Sequence, residues 1–431
     1  MKKESIFQNR ILLFVPFLLL AIAYAWKQAS FPAYTGDDVA FFAYALDDGS
    51  LWEFIVRRFQ TWTSRVLWEP ITVLILQGPI GVFLWRVGSV LCVVFLAWFT
   101  FQMASRAGKA NRLLLASASC VAVYYVPWSV LQQTGTVCSS MLYQWAAAAC
   151  ALAALPLVLE KYSFGRWELA ICALACVWGA NMEQLCVLML FLLGGYTLYA
   201  AKIRCGKLWY AAVCTGLCAI ELAVHLFCPG NSARAAKEVW TWFGDYGMLS
   251  IPQKLEIAFS GTMYWTVGLG EVFWGCVYLL LAVLCMKNGR GFLLKAVGLG
   301  PLVIWLFTGF IPRHIPSFPH LSFLLTTWGI ITIETVRNLM AYVPFLLWAA
   351  AFAMLVCTVY IIMGHMPRAL LAIGLVLGGF GTRLMMGFSP TVWASEDRTF
   401  LIMHICMAMV AVMCLAVWPV KQNMKQTQKM Q

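Results

Sequence analysis

The stretch Ile11-Leu12-Leu13-Phe14-Val15-Pro16-Phe17-Leu18-Leu19-Leu20-Ala21-Ile22-Ala23-Tyr24-Ala25-Trp26 decides the fold class. It carries no charge, and as a helix it covers most of a hydrocarbon core about 30 Å thick. Met1-Lys2-Lys3 precedes it and no small-residue cleavage motif follows, so it reads as a retained first span rather than a signal peptide. Apolar stretches of the same kind recur along the chain. Hydrophobic residues make up 62% of the 431 positions and charged residues 11%, a balance that would leave a soluble protein with a largely apolar surface. The expected fold is all-α: a single transmembrane domain, 1–431, built as a polytopic bundle of about 12 spans.

Hydropathy places the spans near 11–27, 81–104, 113–128, 138–159, 167–181, 184–201, 208–228, 264–286, 294–311, 339–363, 369–387 and 399–419. Basic residues then fall in short patches on one side: Arg106-Lys109-Arg112, Lys161 and Arg166, Lys202-Arg204-Lys207, Lys287-Arg290-Lys295 and Lys421-Lys425-Lys429. Such patches mark cytoplasmic loops, with both termini on that side. The net charge of +12 is therefore a topology signal, and its dispersal between spans argues against nucleic-acid binding. The acids do the opposite: only Glu4, Glu160 and Glu168 fall in cytoplasmic segments, so polar work is expected on the external face. The sixteen cysteines lie almost all inside apolar spans without a CxxC or a Cys/His cluster, as small packing residues do.

Two external segments are long, 28–80 and 229–263. In the first, Leu51, Trp52, Ile55, Phe59 and Trp62 share one helical face while Arg57, Arg58, Gln60 and Ser64 take others. This predicts an amphipathic helix in the headgroup region. Val66 to Gln77 is apolar, short and interrupted by Pro70, which suits a second interfacial or re-entrant element. Most of the 20 tryptophans fit interfacial belts.

The sharpest chemical signal is Thr35-Gly36-Asp37-Asp38-Val39-Ala40-Phe41-Phe42, just outside the first span. Adjacent carboxylates repel, so something must compensate. The pair could supply a general base, bind a divalent cation, or form a solvated turn or helix cap near Val39. Farther on stand Gly179-Ala180-Asn181-Met182-Glu183-Gln184 and Cys228-Pro229-Gly230-Asn231-Ser232-Ala233-Arg234, the latter a strong turn.

This layout resembles the GT-C superfamily of polytopic glycosyltransferases: an acidic pair after the first span, interfacial helices, Ser64-Arg65, then Trp68-Glu69-Pro70 leading into the second span. The Asn181-x-Glu183 and Pro229-Gly230-Asn231 motifs are similar to those of a bacterial GT-C-like family of unassigned function. The His-Pro-Pro of some members is replaced by Trp68-Glu69-Pro70. The resemblance implies a sugar moved from a polyprenyl-phosphate donor to a cell-envelope glycan or lipid acceptor, with inversion, outside a bacterial cytoplasmic membrane. It makes Asp37 the catalytic base and Asp38 its support, with no cofactor required beyond a possible divalent cation.

A departing lipid phosphate needs cations, and guanidinium suits it. Candidates are Arg65, Arg234, Arg313, Arg383 and Arg398, with Arg234 and Arg398 favoured because both sit in polar external turns. Asp397 belongs to the same polar run, Ser389 to Thr399, which includes Glu396. Glu183 in lipid would cost roughly 2.5–3.5 kcal/mol, which makes it a substrate-binding candidate or a packing partner. Glu221 and His225, four apart on one helical face, read as structural. An O-antigen polymerase or ligase would instead rely on Arg313, His314 and His320. A lipid or glycan transporter would show repeats, and none is visible. No GxxxxGK[ST], GxSxG or HExxH is present, and no soluble nucleotide-sugar domain fits.

Overall fold

The computed structural model describes residues 2–47, 49–159, 162–288, 291–315, 331–364, 366–395 and 397–418. Glu160, Lys161, Arg290, His320, Glu396, Lys421, Lys425 and Lys429, all read above, lie outside the described residues. Helix accounts for 81% of the structure and no strand occurs among the described residues. The chain is a multi-pass membrane protein of all-α construction.

The helices run in order as α1 Lys2–Ala29, α2 Leu51–Thr61, α3 Trp68–Ile75, α4 Pro79–Ala107, α5 Arg112–Tyr124 and α6 Thr136–Val158. Then come α7 Arg166–Ala180, α8 Glu183–Lys202, α9 Leu208–Phe227, α10 Pro229–Trp242, α11 Ile251–Gly268 and α12 Val272–Asn288. The last four are α13 Phe292–His314, α14 Leu339–Met363, α15 Met366–Phe388 and α16 Asp397–Ala416. Among the described residues ten helices are long and apolar enough to cross a membrane, and eleven with α11 and α12 counted as one bent span. Hydropathy predicts about 12 spans; the fifteen-residue α7, read as one of them, is shorter than these.

Local sequence explains many helix ends. Ser50 and Glu53 form a reciprocal capping box at the start of α2. Asn111 caps α5 through Leu113 and Leu114 N–H. Pro79 and Pro229 open α4 and α10 where no N–H is needed. Two helices stand in the first loop where the sequence reading expected two elements, α2 and α3.

One boundary differs. Hydropathy predicts a span starting near 264, but α11 already starts at Ile251 and the chain bends by 79° before α12. The cause is a close backbone crossing. Gly270 has φ +66°, and a Cβ there would lie 2.6 Å from Phe310 N. A Cβ on Gly309 would lie 2.2 Å from Val267 O. Two facing glycines let the backbones touch and the chain turn, and a hydropathy average does not register that.

The core is organised around α16, whose most apolar 18-residue window is 94% buried. Apart from His404, which accepts from Trp274 Nε1, its sequence from Leu401 to Ala416 is apolar on all sides, and such a helix belongs inside a bundle. It packs on α4, α5, α12 and α15. Small residues set the closest approaches. A Cβ on Gly379 of α15 would lie 2.9 Å from Cys406 Cβ on α16. A Cβ on Gly179 of α7 would lie 2.4 Å from Cys150 Sγ and 3.0 Å from the Cys150 backbone nitrogen on α6. Gly179→Ala is therefore expected to destabilise the fold by about 1–3 kcal/mol through overpacking. Thermal unfolding of the purified variant in detergent reads this as a lowered Tm; an unchanged Tm contradicts the packing described.

Candidate active site at the first-loop end

Helix order brings segments 30–78, 125–135, 181–182, 228–250 and 389–400 to one end of the bundle, the first-loop end. Arg106, Lys202, Lys207 and Arg368 stand at the other, the basic end. At the first-loop end the acidic pair is clamped against the start of α6. Asp37 N–H donates to Thr134 O at 2.6 Å. The Thr35 and Thr136 hydroxyls lie 3.1 Å apart. Gly36 has φ +48°, and a Cβ on it would come within 1.6 Å of Thr134 O, so only glycine fits.

Within this clamp the two carboxylates separate in role. Asp38 is fully buried, and its oxygens accept from Val137 N–H at 3.1 Å and Cys138 N–H at 2.9 Å. It caps the N-terminus of α6, where otherwise unpaired N–H groups favour an anion. The sequence reading placed a cap near Val39 or gave Asp38 a catalytic supporting role. The structure gives it a cap on a helix about a hundred residues away in sequence, and both its oxygens are committed there.

Asp37 is half-buried, and its carboxylate accepts no hydrogen bond from any described residue. Burial pushes its carboxyl above the ordinary value; Arg398 pulls back, Asp38 adds to the rise, and Arg58 and Arg65 oppose it more weakly. A carboxylate that is ionisable, without a hydrogen-bond donor among the described residues and within the field of Arg398 can take a proton from a hydroxyl brought to it.

The three remaining motifs meet in one network. Arg65 Nε reaches both oxygens of Glu183, at 2.9 and 3.2 Å. Arg234 Nη2 lies 4.0 Å from Glu183 Oε1. Burial works against the charge on Arg65, but Glu183 and then Tyr143 outweigh it and hold the guanidinium above its ordinary pKa. Arg234 is shifted down by burial and by Arg65, with Glu183 opposing. Asn181, in the break between α7 and α8, ties that break to the segment before α3: Oδ1 accepts from Leu67 N–H at 3.0 Å, and Nδ2 donates to Ser64 O at 3.3 Å. His225 lies 2.6 Å from Ser64 Oγ through Nδ1 and 2.8 Å from Ala180 O through Nε2. Asn231 donates to Ser64 Oγ and to His225 O. Gly230 is required by contact, since a Cβ on it would lie 2.5 Å from Trp62 N. Glu221 joins as an acceptor for Asn181 at 3.4 Å.

Other charged groups complete this end. Arg58 forms a bidentate pair with Glu69 at 2.6 and 2.8 Å, and its guanidinium carbon sits 5.2–6.0 Å from the ring centroids of Phe41, Phe42, Trp62 and Phe54. Arg383 is 2% exposed, lies over Phe400 and donates from Nη2 to Val392 O at 2.9 Å. Its Nε and Nη1 find no partner among the described residues, and neither does Arg398 Nη1. Asp397 accepts from Gln133 Nε2 at 3.1 Å. Buried guanidinium donors left over in this way suit an anion. A divalent cation fits poorly: Asp38 is occupied by backbone N–H groups, and Asp37 faces guanidinium groups. Arg313 and His314 stand apart, bonded to Leu269 O and Phe310 O.

Sequence reading singled out Asp37, Arg65, Glu183, Arg234, Asp397 and Arg398. The structure gathers Asp37 with Arg398, and Glu183 with Arg65 and Arg234. Arg58, Tyr143 and the Thr134-Gly135-Thr136 clamp were missed; Arg58 read only as the polar side of an amphipathic helix. Glu183→Gln would leave Arg65 and Arg234 facing each other without a counter-charge. The expected loss is about 1.5–3 kcal/mol of stability, read as a lower midpoint in chemical denaturation. Charge reversal in the pair, Arg65→Glu with Glu183→Arg, should recover part of it. Comparison with family models, curated proteins and solved structures returns no match.

Proposed function

We propose that the chain is a GT-C-like glycosyltransferase that moves a sugar from a polyprenyl phosphate to a cell-envelope glycan or lipid acceptor. The observation that carries this reading is the half-buried Asp37 carboxylate, without a hydrogen-bond donor of its own and opposed by Arg398. Supporting it are the unpaired donors of Arg383 and Arg398 at the same end. The interfacial helices α2 and α3 border that end, as an entry for a lipid substrate requires. The basic patches of the far end make it cytoplasmic by the positive-inside rule, with both termini on that side. The reaction then takes place outside a bacterial cytoplasmic membrane.

In this mechanism an acceptor hydroxyl is held against Asp37. The carboxylate takes the proton as the hydroxyl oxygen attacks the anomeric carbon from the face opposite the lipid phosphate. The new glycosidic C–O bond forms while the C–O bond to the phosphate breaks, which inverts the centre. The electron pair leaves with the phosphate, and its charge is held by guanidinium groups, Arg398 and Arg383 foremost.

Membranes holding the protein, supplied with radiolabelled polyprenyl-phosphate sugars and envelope acceptor extract, should transfer label. Asp37→Asn should fold normally and lose transfer by about 10²–10⁴-fold; a fully active variant overturns the base assignment. Asp38→Asn should instead lower Tm through the lost cap charge. The pH profile has a definite sign. The base must be ionised, and burial raises its pKa, so the rate should fall as pH drops through a value above the ordinary carboxylate range.

A further inference from the structure

At the basic end, away from Asp37, a cavity of about 440 Å³ lies between α4, α6, α8, α15 and α16. Its walls are almost wholly apolar, among them Phe99, Ala151, Ala154, Leu192 and Met409. Along α8 it extends from Leu185 to Ile203, about 27 Å at 1.5 Å per residue. Gly374 and Gly378 bring α15 close to Leu192 and Leu188 of α8 midway down the bundle. Toward the basic end the same two helices contribute Tyr196, Tyr199, Pro367 and Arg368 to the walls. The mouth carries two cations. Arg106 donates to Leu157 O and Val158 O at the end of α6, which fixes its guanidinium at the rim. Arg368 is exposed on the other side.

A cavity of this size and lining is a ligand site rather than a packing defect. Extended along α8 and lined by apolar side chains, it has the form of a site for a hydrocarbon chain. A basic mouth between transmembrane helices selects an acidic headgroup. We propose that the cavity binds one hydrocarbon chain of an anionic membrane lipid, with its acidic head between Arg106 and Arg368. The site shares no residue with the Asp37 cluster and does not depend on transfer chemistry.

The test uses the purified full chain and two probes with the same oleoyl chain, lysophosphatidylglycerol and lysophosphatidylcholine, read by native mass spectrometry after release from detergent. One retained anionic adduct is expected, preferred over the zwitterionic probe by about fivefold for each arginine. Arg106→Gln with Arg368→Gln should abolish the preference while leaving chain binding. Ala154→Phe should fill the cavity and remove the adduct of both probes; Ala151→Leu serves if that variant does not fold. Equal retention of the two probes by the unmutated protein overturns the acidic-head assignment. An undiminished adduct in the filled variant places the lipid on the outer surface and overturns the cavity site.

Discussion

Lipid offers the peptide backbone nothing to bond to, so every break in a helix at membrane depth must be closed by the protein itself. This constraint shapes the first-loop end more than any catalytic demand. The helices there break between α7 and α8, between α9 and α10, and before α6. Each break is closed by a polar side chain. His225 serves the first, Asn231 the second and Asp38 the third, while Asn181, standing in the first break, satisfies Ser64 O and Leu67 N–H ahead of α3. Residues that look like chemistry in the sequence are in large part backbone partners.

With those assignments made, the charges left over become meaningful. Glu69 answers Arg58, and Glu183 answers Arg65 with Arg234 close by. Asp38 answers the N–H groups of α6. Among the described residues singled out from the sequence at this end, the Asp37 carboxylate and the spare donors of Arg383 and Arg398 are left without partners. An acid beside surplus guanidinium groups separates a place for a proton from a place for an anion. A reaction that deprotonates one group and expels a phosphate needs that separation. Breaking either ion pair would release a further charge into this balance, because partly buried pairs leave a stranded partner when one member is removed.

Much of the helical architecture was legible in the sequence because hydrophobic span length is a property of contiguous residues. Helix α2 was legible for the same reason, from Leu51, Ile55 and Phe59 on one face. The bend between α11 and α12 was not, since it depends on Gly270 meeting Gly309 across the fold. At the site, Asp37 and Asp38 are equivalent in sequence. Only the start of α6, near Val137 and Cys138, distinguishes them, and that contact spans about a hundred residues. Arg58 was invisible as a site element because its aromatic enclosure draws on Phe41 and Phe42 as well as its own helix. Pairwise contact over long sequence separation is the information a single chain withholds.

The two ends of the bundle are joined by the same walls. Helices α8, α15 and α16 carry Glu183, Arg383 and Arg398 at the first-loop end and line the apolar cavity toward the other. Directly below Glu183, the amide of Gln184 donates to Thr382 O at 2.7 Å and to Thr399 O at 3.1 Å. That single side chain ties all three helices together at the level where polar surroundings give way to apolar ones. Its amide nitrogen is satisfied in place, while its buried Oε1 has no partner among the described residues. A charged cluster and an apolar cavity therefore sit on the same three helices, separated along them by this polar layer.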